Sequence, residues 1–287
     1  MSFVNMQSAV SPFLTTVVQT CRYYYHDVWQ INGDPRVAKY AFFEGGPWST
    51  LAMISAYLYF IKVIGPEFMA QRKPFDLKKT ILAYNISMVI LSAWMFIEGF
   101  FLLNYGLDTW GCQVVNSAQT DAREMRKLLL GWLFFITKFI EFADTVFFIL
   151  RKKTSQVSTL HVIHHALVPL LVWIGFKFVP GGSNAFFPLI NSLVHTIMYS
   201  YYGLSVLGPR IQPYLWWKKY LTRFQMIQFV LIILNSLRLL FLPQCQFPKA
   251  FIYLTVFNGF LFLVLFGGFY RQAYKGRHNS TVRNKSD

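Results

Sequence analysis

The sequence predicts an all-α, multi-pass membrane protein with seven transmembrane helices around a central polar/apolar channel. Three observations predict it. Of the 287 residues, 55% are hydrophobic and only 14% charged, whereas soluble domains carry about a quarter charged residues. The apolar residues fall in seven runs, near 48–65, 80–103, 128–150, 158–178, 185–207, 214–241 and 250–271. Each run is long enough to cross a hydrocarbon core of about 30 Å at about 1.5 Å per residue. Four successive runs also carry polar residues at helical spacing, which lipid tolerates only when they face an interior.

The first two runs and the last are read as helices from length and apolarity alone. Pro169, Pro188, Gly203, Gly267 and Gly268 interrupt the later runs, and membrane helices accept such residues better than soluble ones. The third run contains KFIEFADT, in which Lys138, Glu141 and Thr145 share a face and Asp144 flanks it. A structural ion pair between Lys138 and Glu141 is the plainer account of those two. The fourth run opens on LHVIHH, with His161, His164 and His165 clustered on one side. The fifth contains NSLVHTIMYSYY, placing Asn191, His195, Tyr199 and Tyr202 on one stripe and Tyr201 beside it. The sixth contains TRFQMIQF, with Thr222, Gln225 and Gln228 every third residue. A lone polar residue in such a helix is usually interhelical glue. Four stripes at overlapping depths predict a shared polar chamber.

The connections are short, so one membrane domain is expected over 48–271, with a lumenal segment 1–47 before it and a basic cytosolic tail 272–287 after it. The net charge is +15. Segments 62–79, 151–153, 210–223 and 271–285 hold 17 of the 27 Lys and Arg, and the alternate segments hold 8. The positive-inside rule puts the richer set in the cytosol. The basic balance is thus a matter of topology and argues against a nucleic-acid partner. Arg22 is the first basic residue, so the charged start of a cleavable leader is missing, and the first helix is expected to act as its own signal. Cys112 and Cys245 both fall in expected lumenal loops, where a disulfide can form. Cys21 is left over. Sequons at Asn279 and Asn284 fall in the cytosolic tail and should go unused. The tail itself, ending RNKSD, resembles a basic endoplasmic-reticulum retrieval signal.

The histidines admit two chemistries. Membrane di-iron oxygenases need many imidazoles, roughly eight, to fill two metals. Only His161, His164, His165 and His195 lie within the runs. A single metal on these four stays open, although adjacent His164 and His165 point about 100° apart on a helix. The nucleophile reading fits better. A desolvated imidazole stays neutral, can attack a thioester to give an acyl-imidazole, and is protected there from water. No cysteine lies on a polar stripe, and neither Ser192 nor Ser200 shares the face of His195.

Taken together, these motifs resemble the very-long-chain fatty acid elongase (ELO) family of endoplasmic-reticulum condensing enzymes. KFIEFADT, LHVIHH, NSLVHTIMYSYYG and TRFQMIQF carry the resemblance, with DPRV at 34–37 and GPEFMAQRKPF at 65–75. It covers residues from about 34 to 275. It implies a 3-oxoacyl-CoA synthase that joins a long-chain acyl-CoA to malonyl-CoA through an acylated histidine, with no metal or redox cofactor. His164, the middle histidine of the box, becomes the expected nucleophile. His161 and His165 would hold its ring and tautomer, with His195 as alternate or second participant. Asn191, Tyr199, Gln225 and Lys138 can donate to a developing oxyanion, and Glu141 and Asp144 can orient the histidines or Lys138. CoA phosphates would enter from the basic face past Arg151, Lys153, Gln156, Tyr201, Lys218, Thr222, Gln228 and Arg277. The acyl tail needs an apolar channel toward the lumen, whose closed end would measure its length. ALVPLLVWIGFKFVPGG and NSLVHTIMYSYYGLSVLGP look like the branch that extends long saturated and monounsaturated chains. Further partners implied are membrane lipid, the ketoreductase, dehydratase and enoyl reductase of the elongation cycle, and a homo-oligomer. The rivals are a metal-dependent lipid hydroxylase or desaturase, and a seven-helix receptor or transporter without chemistry.

Overall fold

The structure is a computed structural model that describes residues 12–275. Every regular element among the described residues is helical. Arg277, the sequons at Asn279 and Asn284, and the end of the tail lie outside the described residues. The segment before the first apolar run is itself partly helical: α1 (Pro12–Arg22) continues through a π turn (Tyr23–Asp27) into α2 (Val28–Asn32). A rod then runs through α3 (Trp48–Tyr59), a π turn (Phe60–Ile64) and α4 (Gly65–Met69), beyond the expected end at 65. It is followed by α5 (Lys78–Leu102), α6 (Ala122–Ile140), α7 (Phe142–Leu150), α8 (Thr159–Phe178), α9 (Phe186–Val206), α10 (Lys218–Arg238) and α11 (Lys249–Tyr270).

Each of the seven apolar runs falls on helix, but among the described residues only five helices are long and apolar enough to cross a membrane: Trp48–Met69, Lys78–Leu102, Thr159–Phe178, Gln212–Arg238 and Lys249–Tyr274. The helices that fall short are α6 and α7, parted at Glu141 so that α7 has 9 residues while α6 opens on Arg123, Glu124, Arg126 and Lys127, and α9, which carries Asn191, His195 and several tyrosines. The third run is also not one helix. It begins earlier than expected, where Asp121 caps α6 by accepting from the amides of Arg123 and Glu124 at 2.9 and 3.1 Å. It then breaks at Glu141, where the Asp144 amide reaches back to the Glu141 carbonyl at 3.1 Å.

Lipid-like solvent is written on the outside of α5, where Ile86, Ile90, Trp94, Ile97 and Phe101 form an exposed stripe at helical spacing. The main core lies where α6 and α8 meet the segment before α3. Val37, Phe43, Phe135, Trp173 and Phe176 pack there, and the Phe43 and Phe135 rings meet edge-on at 4.9 Å. Three side chains bind the carbonyls of that segment: Trp132 donates to Ala41 at 3.2 Å, Trp173 to Phe42 at 2.8 Å and the buried Lys177 to Phe43 at 2.8 Å. Asp34 and Arg36 form a buried pair at 2.7 Å beside it.

The bundle has two distinct ends. At one, the Phe75 amide donates to the Leu150 carbonyl at 3.0 Å, and Arg223 donates to the hydroxyl of Tyr270 at 2.8 Å. The basic segments collect at this end. At the other, Cys112 and Cys245 form a disulfide, and Arg36 donates to the Gln119 carbonyl at 2.8 Å.

Candidate active site

The break between α6 and α7 turns three acidic and basic side chains toward α9. Lys138 donates to Oε1 of Glu141 at 2.7 Å and to Oδ1 of Asn191 at 3.2 Å. Asn191 donates onward to Oε1 of Gln228 at 3.1 Å. Nδ1 of His195 lies 3.2 Å from the same Glu141 oxygen. All five side chains are buried. Because a carboxylate only accepts, the Nδ1 of His195 carries the proton and its Nε2 keeps a free lone pair. The stripes of α6, α7, α9 and α10 therefore converge, as their spacing predicts.

Two hydroxyl chains flank this cluster. Tyr199 donates to Oδ2 of Asp144 at 2.8 Å, and the Tyr84 hydroxyl lies 3.5 Å from that of Tyr199. Asp144 thus meets tyrosine hydroxyls rather than Lys138 or a histidine. On the other side, Tyr57 is 2.9 Å from Thr145, and Thr145 is 2.7 Å from Nε2 of His161. Tyr57 and Tyr84 escape sequence reading, and Thr145 appears only as a stripe member. A tyrosine in an apolar helix carries no signal of where its hydroxyl points.

The histidine box divides. Ser158 caps α8, accepting from the His161 amide at 3.3 Å, so the box occupies the first two turns of the helix. His161 faces Thr145, with His165 buried against it at 4.3 Å between ring centroids. His164 turns the other way. It makes no hydrogen bond among the described residues, and its buried Nδ1 has no partner. Its ring touches His165 and Phe262 only edge-on, each at 5.3 Å. Neither His161 nor His165 hydrogen-bonds the ring of His164, and only His165 touches it, edge-on, because neighbours on a helix point about 100° apart.

His164 and Asn191 stand at the head of a cavity of about 170 Å³, lined mainly by apolar residues such as Phe134, Val168, Val172 and Phe229. The cavity extends toward the Cys112 end, reaching Leu103, Lys127, Gly181 and Ala185. Other expected site residues lie outside this constellation. Gln225 donates to the sulfur of Met198 at 3.3 Å, Thr222 to the Lys218 carbonyl at 3.4 Å, and Tyr201 packs on Trp217 at 4.9 Å. The side chains of Arg151, Lys153, Gln156 and Lys218 make no hydrogen bond or ion pair among the described residues, and all but the half-buried Arg151 are exposed.

Residues 42–282 match the ELO family model, described as the GNS1/SUR4 family. The chain belongs to the ELO family. It is similar to a very long chain fatty acid elongase of Aedes aegypti, with 45% identity over 250 residues covering 85% of this chain and 67% of that one. Very long chain fatty acid elongase 7 of Drosophila melanogaster shares 44% over 256 residues, covering 88% and 76%. Very long chain fatty acid elongase 1 of Mus musculus shares 43% over 258 residues, covering 88% and 90%. The ELO match thus spans every helix from α3 to α11, including the whole of the buried cluster.

Proposed function

We propose that this ELO chain is a 3-oxoacyl-CoA synthase of fatty acid elongation. It joins a long-chain acyl-CoA to malonyl-CoA through an acyl-histidine intermediate, favouring long saturated and monounsaturated chains. The observation that carries this reading is the position of His164, a buried imidazole without a hydrogen bond where the polar cluster meets an apolar cavity. The names of the relatives support the substrate class.

In the first half-reaction a ring nitrogen of His164 attacks the thioester carbonyl. The C–S bond breaks and CoA leaves as a thiolate that takes up a proton. In the second, malonyl-CoA loses CO2, and the electrons of the broken C–C bond form an enolate. Its carbon attacks the acyl group, the C–N bond breaks, and imidazole is restored. Lys138 and Asn191 can donate to the oxyanion of either step. His195, with its proton held toward Glu141, presents a free Nε2 and is the second participant or the alternate nucleophile.

The same reading has seven spans, with α6, α7 and α9 crossing as polar-lined helices. It sets the protein in the endoplasmic reticulum, with the Cys112 end lumenal and the basic end cytosolic. CoA would approach from that basic end, near Arg151, Lys153, Gln156, Tyr201, Lys218 and Thr222, with Arg277 following α11 in sequence. The reaction needs no metal or redox cofactor. The 3-oxo product calls for a ketoreductase, a dehydratase and an enoyl reductase in the same membrane.

Intact-mass measurement after incubation with acyl-CoA alone tests the proposal. An acyl adduct is expected on the native protein and absent from His164→Ala, with folding checked by thermal unfolding. An adduct retained there but lost in His195→Ala reverses the assignment. No adduct on the native protein, with stoichiometric iron or zinc in it, favours the metal-dependent rival.

A further inference from the structure

Acylation of His164 leaves one proton without a source. Acyl-CoA and a neutral imidazole give an acyl-histidine and a thiolate, and the thiolate must take up a proton to leave as the CoA thiol. No group of the central cluster is free to give it. Nδ1 of His164 is buried without a partner. The attacking nitrogen is therefore Nε2, and the ring proton stays on Nδ1, on the far side of the ring from the departing sulfur. His195 holds its proton toward Glu141. Lys138 could give one only by leaving Glu141 unpaired.

The sulfur has a definite side. The cavity runs from His164 toward the Cys112 end, so with the acyl chain in it the sulfur lies on the opposite, basic side of the carbonyl. Two side chains that the reaction has not yet used stand on that side. On α9, Tyr199 is one turn, about 6 Å, past His195 in that direction. Its ring meets the His195 ring edge-on at 5.7 Å between centroids. On α7, Asp144 is about one turn past Glu141, on the way to Leu150 at the basic end. The Tyr199 hydroxyl and the Asp144 carboxyl meet at 2.8 Å. Asp144 has no cation partner among the described residues. Its polar neighbours are the hydroxyls of Tyr199 and Tyr84, and Glu141, which already has Lys138. Tyr199 is fully buried, whereas Asp144 is only half-buried, so the carboxyl is the end of the pair that water can reach.

We infer that Tyr199 is the acid that protonates the leaving CoA sulfur, and that Asp144 renews its proton. The tyrosine hydroxyl gives its proton to the thiolate as the C–S bond breaks. The Asp144 carboxyl, carrying a proton, passes it to the tyrosine oxygen and is left a carboxylate, which water from the basic end reprotonates. One proton is consumed for each CoA released, and no oxidant or reductant takes part. Tyr84, with its hydroxyl 3.5 Å from that of Tyr199, positions the pair from α5. This relay rests on the acyl-histidine reading above.

Varying the leaving group tests it. Adduct formation is followed by time-resolved intact mass with two donors of the same acyl chain. One is acyl-CoA, and the other is the thioester of an acidic aryl thiol, which leaves readily without a proton. Tyr199→Phe keeps the ring, and Asp144→Asn keeps an acceptor for Tyr199 but has no proton to give. Each should slow the adduct from acyl-CoA by about 100-fold, the scale of general acid catalysis. From the aryl donor both should react at the native rate. The two changes combined should be no slower than either alone, since the residues act as one unit. Equal slowing with both donors makes the pair structural and overturns the inference, as do native rates from acyl-CoA in both variants. Slowing from acyl-CoA alone in His161→Asn, with Tyr199→Phe unaffected, overturns it by moving the acid to the other hydroxyl chain. No adduct on the native protein from either donor overturns the acyl-histidine reading and the relay with it.

Discussion

At the scale of the residue, the site rests on charge buried without water. Lys138 and Glu141 are each 2% exposed and 2.7 Å apart. Removing one partner of such a pair leaves the other uncompensated and costs about 3–5 kcal/mol, whereas replacing both with apolar side chains is often neutral. Glu141→Gln should therefore lower stability by about that amount, and Lys138→Met combined with Glu141→Leu should recover most of it. Thermal unfolding in detergent reads both. The double variant also lacks the Lys138 ammonium that donates to the oxyanion, so its acyl adduct on His164 should form about 100-fold more slowly. A double variant less stable than either single one would show that the pair contributes net stability. These residues were legible in the sequence because an ionisable side chain in an apolar run stands out. Tyr57, Tyr84 and the divergent aim of His164 were not. Their roles depend on hydroxyls and ring faces that meet other helices, such as Tyr57 on Thr145 across 88 residues of chain.

At the scale of the element, closeness between helices is bought with glycine. A Cβ on Gly131 of α6 would come within 2.6 Å of the Phe176 ring of α8. Ala in place of Gly gains about 1 kcal/mol of helix propensity, but overpacking a core costs about 1–3 kcal/mol. The buried aromatic ring has little room to retreat, so overpacking should win. Gly131→Ala is expected to lower the melting temperature, and a rise would show that α8 can shift. The helices as such were legible from length and apolarity. The gap between seven expected spans and five sufficiently apolar ones has a simple cause. Glu141 sits at the break that leaves α7 with 9 residues, α6 opens on four charged side chains, and Asn191 and His195 dilute the apolarity of α9. The break at Glu141 was hidden for a related reason, since no Gly or Pro marks it.

At the scale of the whole molecule, charge and covalent linkage divide the two ends. The segments rich in Lys and Arg share one end, and the disulfide marks the other. In sealed vesicles with the cytosolic face outward, a cysteine placed by Lys153→Cys in a Cys21→Ser background should react with an impermeant maleimide. One placed by Gln119→Cys should react only after the vesicles are opened, and the reverse pattern would invert the topology. This division was legible because segments rich in Lys and Arg alternate along the chain with segments poor in them. The docking of residues 34–43 was not, since that segment has no periodicity and its partners are far along the chain. That docking also has a consequence for biogenesis. The Phe43 carbonyl finds Lys177 across 134 residues. At a synthesis rate of about 5–20 residues per second, the segment waits roughly 7–27 s for its partner to be made. During that interval its aromatic side chains have no core to enter, so a nascent chain stalled before residue 177 should expose them to chaperones or proteases at the membrane surface.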